Sequence, residues 1–394
     1  MTQQRKGVVP IQQNKNKGRY SEMLAQDQRR RIQIRNWIIL LLAVALIAFG
    51  IRWVRNIGNT AEISYVSFPC TADQSVTPFG NSVLYYDGTS IHCLGESGGI
   101  RWSFPVGIGA KFSVSDTHLV IWSGTQLFIV DSNGHPSYNE NMSGEVQFAR
   151  IGSHYCAAVI GDDTEPDLVV KNLDGTPIDE EYEAFSGMML LDVGFFGEAD
   201  QYMWTLSMDV FGTAINTVLN TFQVGKMNTG IVNLGEFLAY KVLFEDNHLR
   251  VFTTQQMYTF DYKAVRDMTS SRLVYGWQLI DSYIPDRGPA YMLLAPTAQM
   301  TGNQNITELR VFTGTQDRRY TLPSTCIGAA IQGRNLYAIS GDYLYRSDID
   351  TQRFYGYALP LPDNRSATSL IGLTKGGRAI IASGTQVYSV SLPQ

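Results

Sequence analysis

After residue 80 apolar and polar positions alternate in short runs, and tight-turn residues separate the runs. The clearest copy is Val83-Leu-Tyr-Tyr-Asp-Gly-Thr-Ser-Ile-His-Cys-Leu94, then Gly-Glu-Ser-Gly-Gly99, then Ile100-Arg-Trp-Ser-Phe104. The same strand–turn–strand theme starts again near residues 119, 155, 202, 249, 291, 336 and 379. Asp87-Gly88, Asn133-Gly134 and Asp174-Gly175 mark hairpins, because both turn positions must accept positive φ. In Gln126-Leu-Phe-Ile-Val130 both faces are apolar, so this strand is buried on both sides. No long amphipathic helix pattern follows residue 60. Starts spaced by 36 to 47 residues, with three or four strands per unit, predict an all-β, eight-bladed β-propeller, with seven blades as the alternative count.

The two ends of the pattern fit together. The last unit, Ala379-Ile-Ile-Ala-Ser-Gly-Thr-Gln-Val-Tyr-Ser-Val390, follows an inner strand at Ser369-Leu-Ile-Gly-Leu373 and has no outer strand after it. Ala61-Glu-Ile-Ser-Tyr-Val-Ser-Phe68 is strand-like and has no unit of its own. Residues 61–67 are therefore expected to close the last blade, with Ile63 and Tyr65 on one face.

Before the repeats, Trp37 to Ile51 is a run of fifteen residues without charge. Extended through Asn36 and Arg52-Trp-Val54, a helix would reach about 28 Å, close to the ~30 Å apolar thickness of a bilayer. Its ten Leu, Ile, Val and Phe favour insertion by roughly 3 to 6 kcal/mol, against at most about 3 kcal/mol for the off-centre Arg52. A cleaved signal peptide is the competing reading, but the 36-residue leader is long and no A-x-A site follows. Nine Lys/Arg precede the run and two follow it, which predicts an N-terminus inside and a C-terminal domain outside the cell. The expected organisation is a cytoplasmic basic tail (1–36), a signal-anchor helix (37–54), a linker (55–60) and an extracytoplasmic propeller (61–394). Arg29, Arg30, Arg31 and Arg35 are positioned to hold anionic lipid headgroups, or serve only as the topology signal.

Charge then narrows the function classes. Residues 1–36 carry nine basic and two acidic side chains, whereas 56–394 carry twenty basic and 34 acidic ones. So acidic a domain argues against nucleic-acid binding. The five histidines, His92, His118, His135, His154 and His248, form no metal-binding pair, and no nucleophile elbow or phosphate loop is present. Carboxylates in Gly161-Asp-Asp-Thr-Glu-Pro-Asp167 suit Ca²⁺ in type, but the EF-hand spacing is absent and a solvated turn explains them equally. No catalytic, cofactor or metal residue is assigned. Four cysteines, Cys70, Cys93, Cys156 and Cys326, lie in the outer part, where Cys70–Cys93 is the best candidate disulfide.

Residues 84–104, with an Asp-Gly turn, a small-and-aliphatic strand, a Gly-Gly turn and Trp102, resemble the repeat of pyrroloquinoline-quinone-type (quinoprotein-like) propellers. The whole chain resembles the single-pass membrane propeller proteins of low-GC Gram-positive bacteria. The resemblance implies the fold over residues 60–394 and leaves activity open. Such repeats serve both quinone dehydrogenases and non-enzymatic envelope scaffolds. Here Trp102 stands alone at its position, no adjacent Cys pair exists, and no calcium-ligand set is found, so no cofactor is expected. The expected role is a non-catalytic scaffold binding an envelope protein or a cell-wall polymer. The alternatives are a carboxylate-based hydrolase or lyase, and a sensor signalling to a separate partner. An apolar patch on one rim would favour the scaffold, and three or more acidic or aromatic side chains converging in the channel would favour an enzyme or sugar binder.

Overall fold

The computed structural model of the protein describes residues 63–393, apart from 182–184, 210, 286 and 301–304, together with residues 37, 40–43 and 46. Residues 37, 40–43 and 46 are helical, and no helix among the described residues is long and apolar enough to cross a membrane. The rest of the expected anchor, the tail with Arg29, Arg30, Arg31 and Arg35, and the linker lie outside the described residues. The chain divides into two units, 1–62 and 63–394, and every strand among the described residues belongs to the second.

That second unit is an eight-bladed β-propeller built from eight four-stranded antiparallel sheets. Blades 1 to 7 span residues 77–105, 111–141, 146–181, 188–235, 239–273, 277–326 and 328–358, and blade 8 joins 369–391 to 65–71. The first strand of each blade lines the axis. Inner strands of neighbouring blades touch between blades 2 and 3, 3 and 4, 6 and 7, and 7 and 8, and 77–79 meets 369–374 where blade 1 adjoins blade 8.

The eight sequence starts all fall on the second strand of a blade, such as Ser82–Tyr86, His118–Ser123 and Arg378–Ser383. Leu119 to Trp122 and Ala379 to Ala382 are buried on both faces, because each second strand is pressed between neighbouring blades. This explains why these strands dominate the sequence pattern.

Blade 8 is completed by the other end of the domain. Tyr65–Thr71 is its outermost strand and runs antiparallel to Gln386–Ser391, with Tyr65 opposite Val390 and Thr71 opposite Gln386. The strand lies later than the 61–67 expected, and its phase differs. Tyr65 is exposed, whereas Phe68 and Cys70 are buried against Val83, Leu94, Ile380 and Val387. The larger apolar contact of Phe68 decides which face turns inward.

The same alternation separates Cys70 from Cys93. Cys70 packs between blades 8 and 1, while Cys93 packs with Leu84, Ile91 and Ile121 between blades 1 and 2. The two thiols lie on opposite faces of the blade 1 sheet, and the expected Cys70–Cys93 bond is not made; all four cysteines are buried free thiols.

Blades are also tied along their outer edges. The Trp102 indole N–H donates to the Ser132 carbonyl of the next blade at 3.0 Å. Ser137 donates to the Leu173 carbonyl, and Thr229 to the Tyr262 carbonyl at 2.9 Å. Arg318 Nη1 and the Tyr320 hydroxyl both reach the Ile349 carbonyl, at 2.8 and 2.7 Å. Each bond runs from the outer strand of one blade to the last turn of the next.

Candidate functional site

In an antiparallel blade the first and third turns lie on one rim of the ring, and the second turn and the linker to the next blade lie on the other. The strand Tyr65–Thr71 starts on the first of these, termed the proximal rim, and ends on the distal rim beside the Gly384-Thr385 turn.

The axis holds a cavity of about 890 Å³ lined by the inner strands of blades 6, 7 and 8. Its walls are mainly aliphatic or small: Ile280, Ile284, Ile306, Ala329, Ile331 and Leu370 among them. Charge enters at two places. Asp116 and Lys375 form an exposed ion pair of 2.8 Å between blades 2 and 8. Asp281 accepts the Ile331 N–H of the next blade at 2.8 Å and the Ser282 N–H at 2.8 Å. Burial raises the Asp281 pKa above the ordinary carboxylate value, and the two N–H donors oppose that rise. Asp281 thus works as a clamp between blades 6 and 7. Both carboxylates are thus engaged, Asp116 by Lys375 and Asp281 by two backbone N–H groups.

The other residues singled out from the sequence sit apart. His92 bonds Asp87 through Nε2 at 2.8 Å and Ser103 through Nδ1 at 2.7 Å, and stacks on Tyr85 with centroids 4.8 Å apart. That carboxylate also accepts the Thr89 and Ser90 N–H groups, so the pair fixes the Asp87-Gly88 turn, and these bonds hold the Asp87 pKa well below the usual range. His154 and Asp200 join blades 3 and 4, the Asp200 carboxylate accepting the His154 N–H at 2.7 Å. The acidic stretch 161–167 is the second hairpin of blade 3, with Asp162 paired to Glu165 across a tight turn. Among the described residues, no group of three or more His, Cys, Asp and Glu is arranged to hold a metal ion.

What the sequence did not single out is a set of large apolar side chains on the distal rim. Phe211 and Ile215 stand in the second turn of blade 4, Leu238 in the linker from blade 4 to blade 5, and Tyr275 in the linker from blade 5 to blade 6. Leu273, at the distal end of blade 5, adjoins the last of these. All five are between 44% and 73% exposed. The Asp209 carboxylate accepts the N–H groups of Phe211 and Gly212, at 3.0 and 3.1 Å, and so fixes the turn that carries Phe211. The available signal was the placing of Phe211 and Ile215 at a hairpin turn, where polar residues are the rule.

No protein-family model matches the chain, and no curated protein matches it. Solved structures resemble it at low identity. BamB from Moraxella catarrhalis is 11% identical, with a TM-score of 0.48, over 84% of this chain and 98% of that one. Apo AztD from Citrobacter koseri is 11% identical, with a TM-score of 0.47, over 73% and 86%. The tricorn protease is 10% identical, with a TM-score of 0.50, over 75% of this chain and 36% of that one. At these identities the likeness concerns the fold alone.

Proposed function

We propose that the protein is a membrane-anchored, non-catalytic scaffold, a quinoprotein-like propeller without a quinone, which docks a protein partner on the distal rim over blades 4 and 5. The observation that carries this reading is the group Phe211, Ile215, Leu238, Leu273 and Tyr275, exposed on two adjacent blades. Large apolar side chains gathered on one surface gain by being covered, and aromatic ones are frequent anchors of protein interfaces. A polysaccharide partner would call for aromatic faces flanked by carboxylates and amides, so the apolar rim favours a protein. The rim lies opposite the one at which the strand Tyr65–Thr71 enters the ring, which suits a domain tethered through its N-terminal side. The tether itself is supported by the apolar run 37–51 and by the nine-to-two distribution of Lys and Arg around it. That distribution also supports an extracellular propeller and a basic tail resting on anionic headgroups through Arg29, Arg30, Arg31 and Arg35.

Site-specific photo-crosslinking in intact cells tests the reading. A crosslinker placed at residue 211 or 275 is expected to capture one discrete protein, and a crosslinker at residue 265, on the proximal rim, is not. Phe211→Ser combined with Tyr275→Ser should abolish capture from a crosslinker at residue 215. Equal capture from both rims would sink the proposal.

A further inference from the structure

Each blade ends in an outer strand whose far edge pairs with no other strand. Such an edge is a template for a further chain, and proteins blunt it with proline, charge or brevity. Pro105, Pro136, Pro177, Pro323 and Pro69 stand in the outer strands of blades 1, 2, 3, 6 and 8. The outer strands of blades 5 and 7 are only two and four residues long. Blade 4 is the exception. Its outer strand, Met227–Gly235, has nine residues and contains neither proline nor charge. It is bulged at Thr229 and Leu234, but the outer strands of blades 1, 2, 3, 6 and 8 are bulged as well, so bulging does not set it apart.

One face of this strand is held by the next blade. Val232 and Leu234 pack with Leu249 and Phe260 of blade 5, and the Thr229 hydroxyl donates to the Tyr262 carbonyl at 2.9 Å. The other face is open. Ile231 stands opposite Asn220 and is 68% exposed. Between the two bulges, Gly230 to Asn233 pairs in regular register with Val218 to Thr221. An exposed Ile therefore sits in the middle of a straight, uncharged edge.

The charges that flank the strand choose what covers it. Lys226 precedes it and Glu236 follows it; both are exposed, and neither makes an ion pair among the described residues. Ile231 lies five positions from each. When a second copy of the strand lies antiparallel with Ile231 opposite Ile231, Lys226 of each copy falls opposite Glu236 of the other. Any other antiparallel register loses both pairs, and parallel pairing sets Lys226 beside Lys226. Opposite charges facing across strands stabilise a ladder and like charges destabilise it. The edge is thus complementary to itself, which is the property an isologous two-fold contact requires.

We propose that two copies of this chain associate through the outer edge of blade 4, Met227–Gly235 pairing antiparallel with its counterpart about a two-fold axis at Ile231. The pairing merges two four-stranded blades into one continuous sheet and covers each Ile231 with the other. The contact lies on the circumference of the ring, so both rims stay open and the distal rim keeps its own partner.

Disulfide trapping in the purified full-length chain tests this. The four native thiols are buried, so a cysteine introduced on the edge is the one that reacts. Ile231→Cys is expected to give a disulfide dimer as the main product of mild oxidation, because facing Cα atoms of an antiparallel pair lie about 4.5–5.5 Å apart, within disulfide reach. Asn233→Cys is exposed on the same strand, but its two copies would stand four positions out of register, about 13 Å apart along the strands, and should give about a tenth of the dimer or less. Adding Lys226→Glu or Glu236→Lys to Ile231→Cys sets like charges at both ends and should cut the yield severalfold, and the two exchanges together should restore it. No dimer from Ile231→Cys, equal dimer from Asn233→Cys, or a double exchange no better than the single ones would each overturn the proposal.

Discussion

Gly134 lies beneath the indole of Trp102: a Cβ on that glycine would stand 2.8 Å from the ring. The next blade repeats the arrangement with a different aromatic residue, since a Cβ on Gly175 would overlap the Tyr138 ring. In both cases the third residue of an outer strand is seated on the last turn of the following blade. Trp102 is alone as a tryptophan, but Tyr138 performs the same seating.

Alanine at these glycines tests the seating. Both have φ near +85°, so a side chain adds backbone strain to the collision with the ring. Gly134→Ala and Gly175→Ala are each expected to cost about 1–3 kcal/mol in urea unfolding, with Gly175 the worse. Gly88→Ala serves as the reference: its φ is +104° but nothing lies within 4 Å of the new Cβ, so only the strain of about 1 kcal/mol applies. Equal losses at all three positions would show that ring contact contributes nothing.

Closure of the ring is tested at Phe68, buried between blades 8 and 1. Phe68→Ala is expected to destabilise by about 3–5 kcal/mol. Deleting residues 1–72 should be worse, leaving Gln386–Ser391 as an unpaired edge that promotes aggregation. A chain starting at residue 73 that melts with the full-length chain would remove closure from the account of stability.

The thiols give a third test. Burial pushes the Cys156 and Cys326 thiols up to about 12 and that of Cys70 to about 11, and raises that of Cys93. Thiolate is the reactive form, so none should react with a thiol reagent in the native protein, and all four should react after unfolding without reductant. Two reactive thiols in place of four would reveal a disulfide.

Asp281 makes a pH-dependent prediction. Its folded pKa is raised by burial, so between the ordinary carboxylate value and that raised value the folded chain keeps a proton that the unfolded chain has lost. Stability therefore falls as pH rises through this window, and the cost is complete above it. Asp281→Asn removes the titration while its Oδ1 can still accept the Ile331 N–H. The melting temperature of the variant relative to the native chain should rise as pH is raised from the ordinary carboxylate value through the raised one. A difference that stays flat or falls would show that the carboxylate is not held against its charge.

The propeller was legible because its second strands are pressed on both faces, as Leu119 to Trp122 show. The inner strands left little trace: every residue of Trp277–Tyr283 is only half-buried, since one side meets the channel, and no apolar run results. Blade 5's outer strand, two residues long, lay below any periodicity. The phase of Tyr65–Thr71 was missed because Ile63 and Tyr65 alternate as well as Phe68 and Cys70 do, and only the opposing blade chooses between them. The distal-rim group of Phe211, Ile215, Leu238, Leu273 and Tyr275 comes from one turn, two linkers and a strand end, none of which a strand periodicity marks.

The bond from the Ser64 N–H to the Ser391 hydroxyl joins positions 327 apart, and the sheet pairing beside it sets an order of events during synthesis. The strand Tyr65–Thr71 leaves the ribosome before any blade exists, and its partner Gln386–Ser391 comes after all the others. Phe68 can meet Val83 and Leu94 of blade 1 early, but its contacts with Ile380 and Val387 wait for the last blade. Bringing such distant segments together carries a larger loop entropy than any contact within a blade, so their pairing is expected to be the slow step of maturation. During that interval the waiting segment is a target for chaperones and proteases, and the cell can sort finished rings from unfinished ones at this single seam.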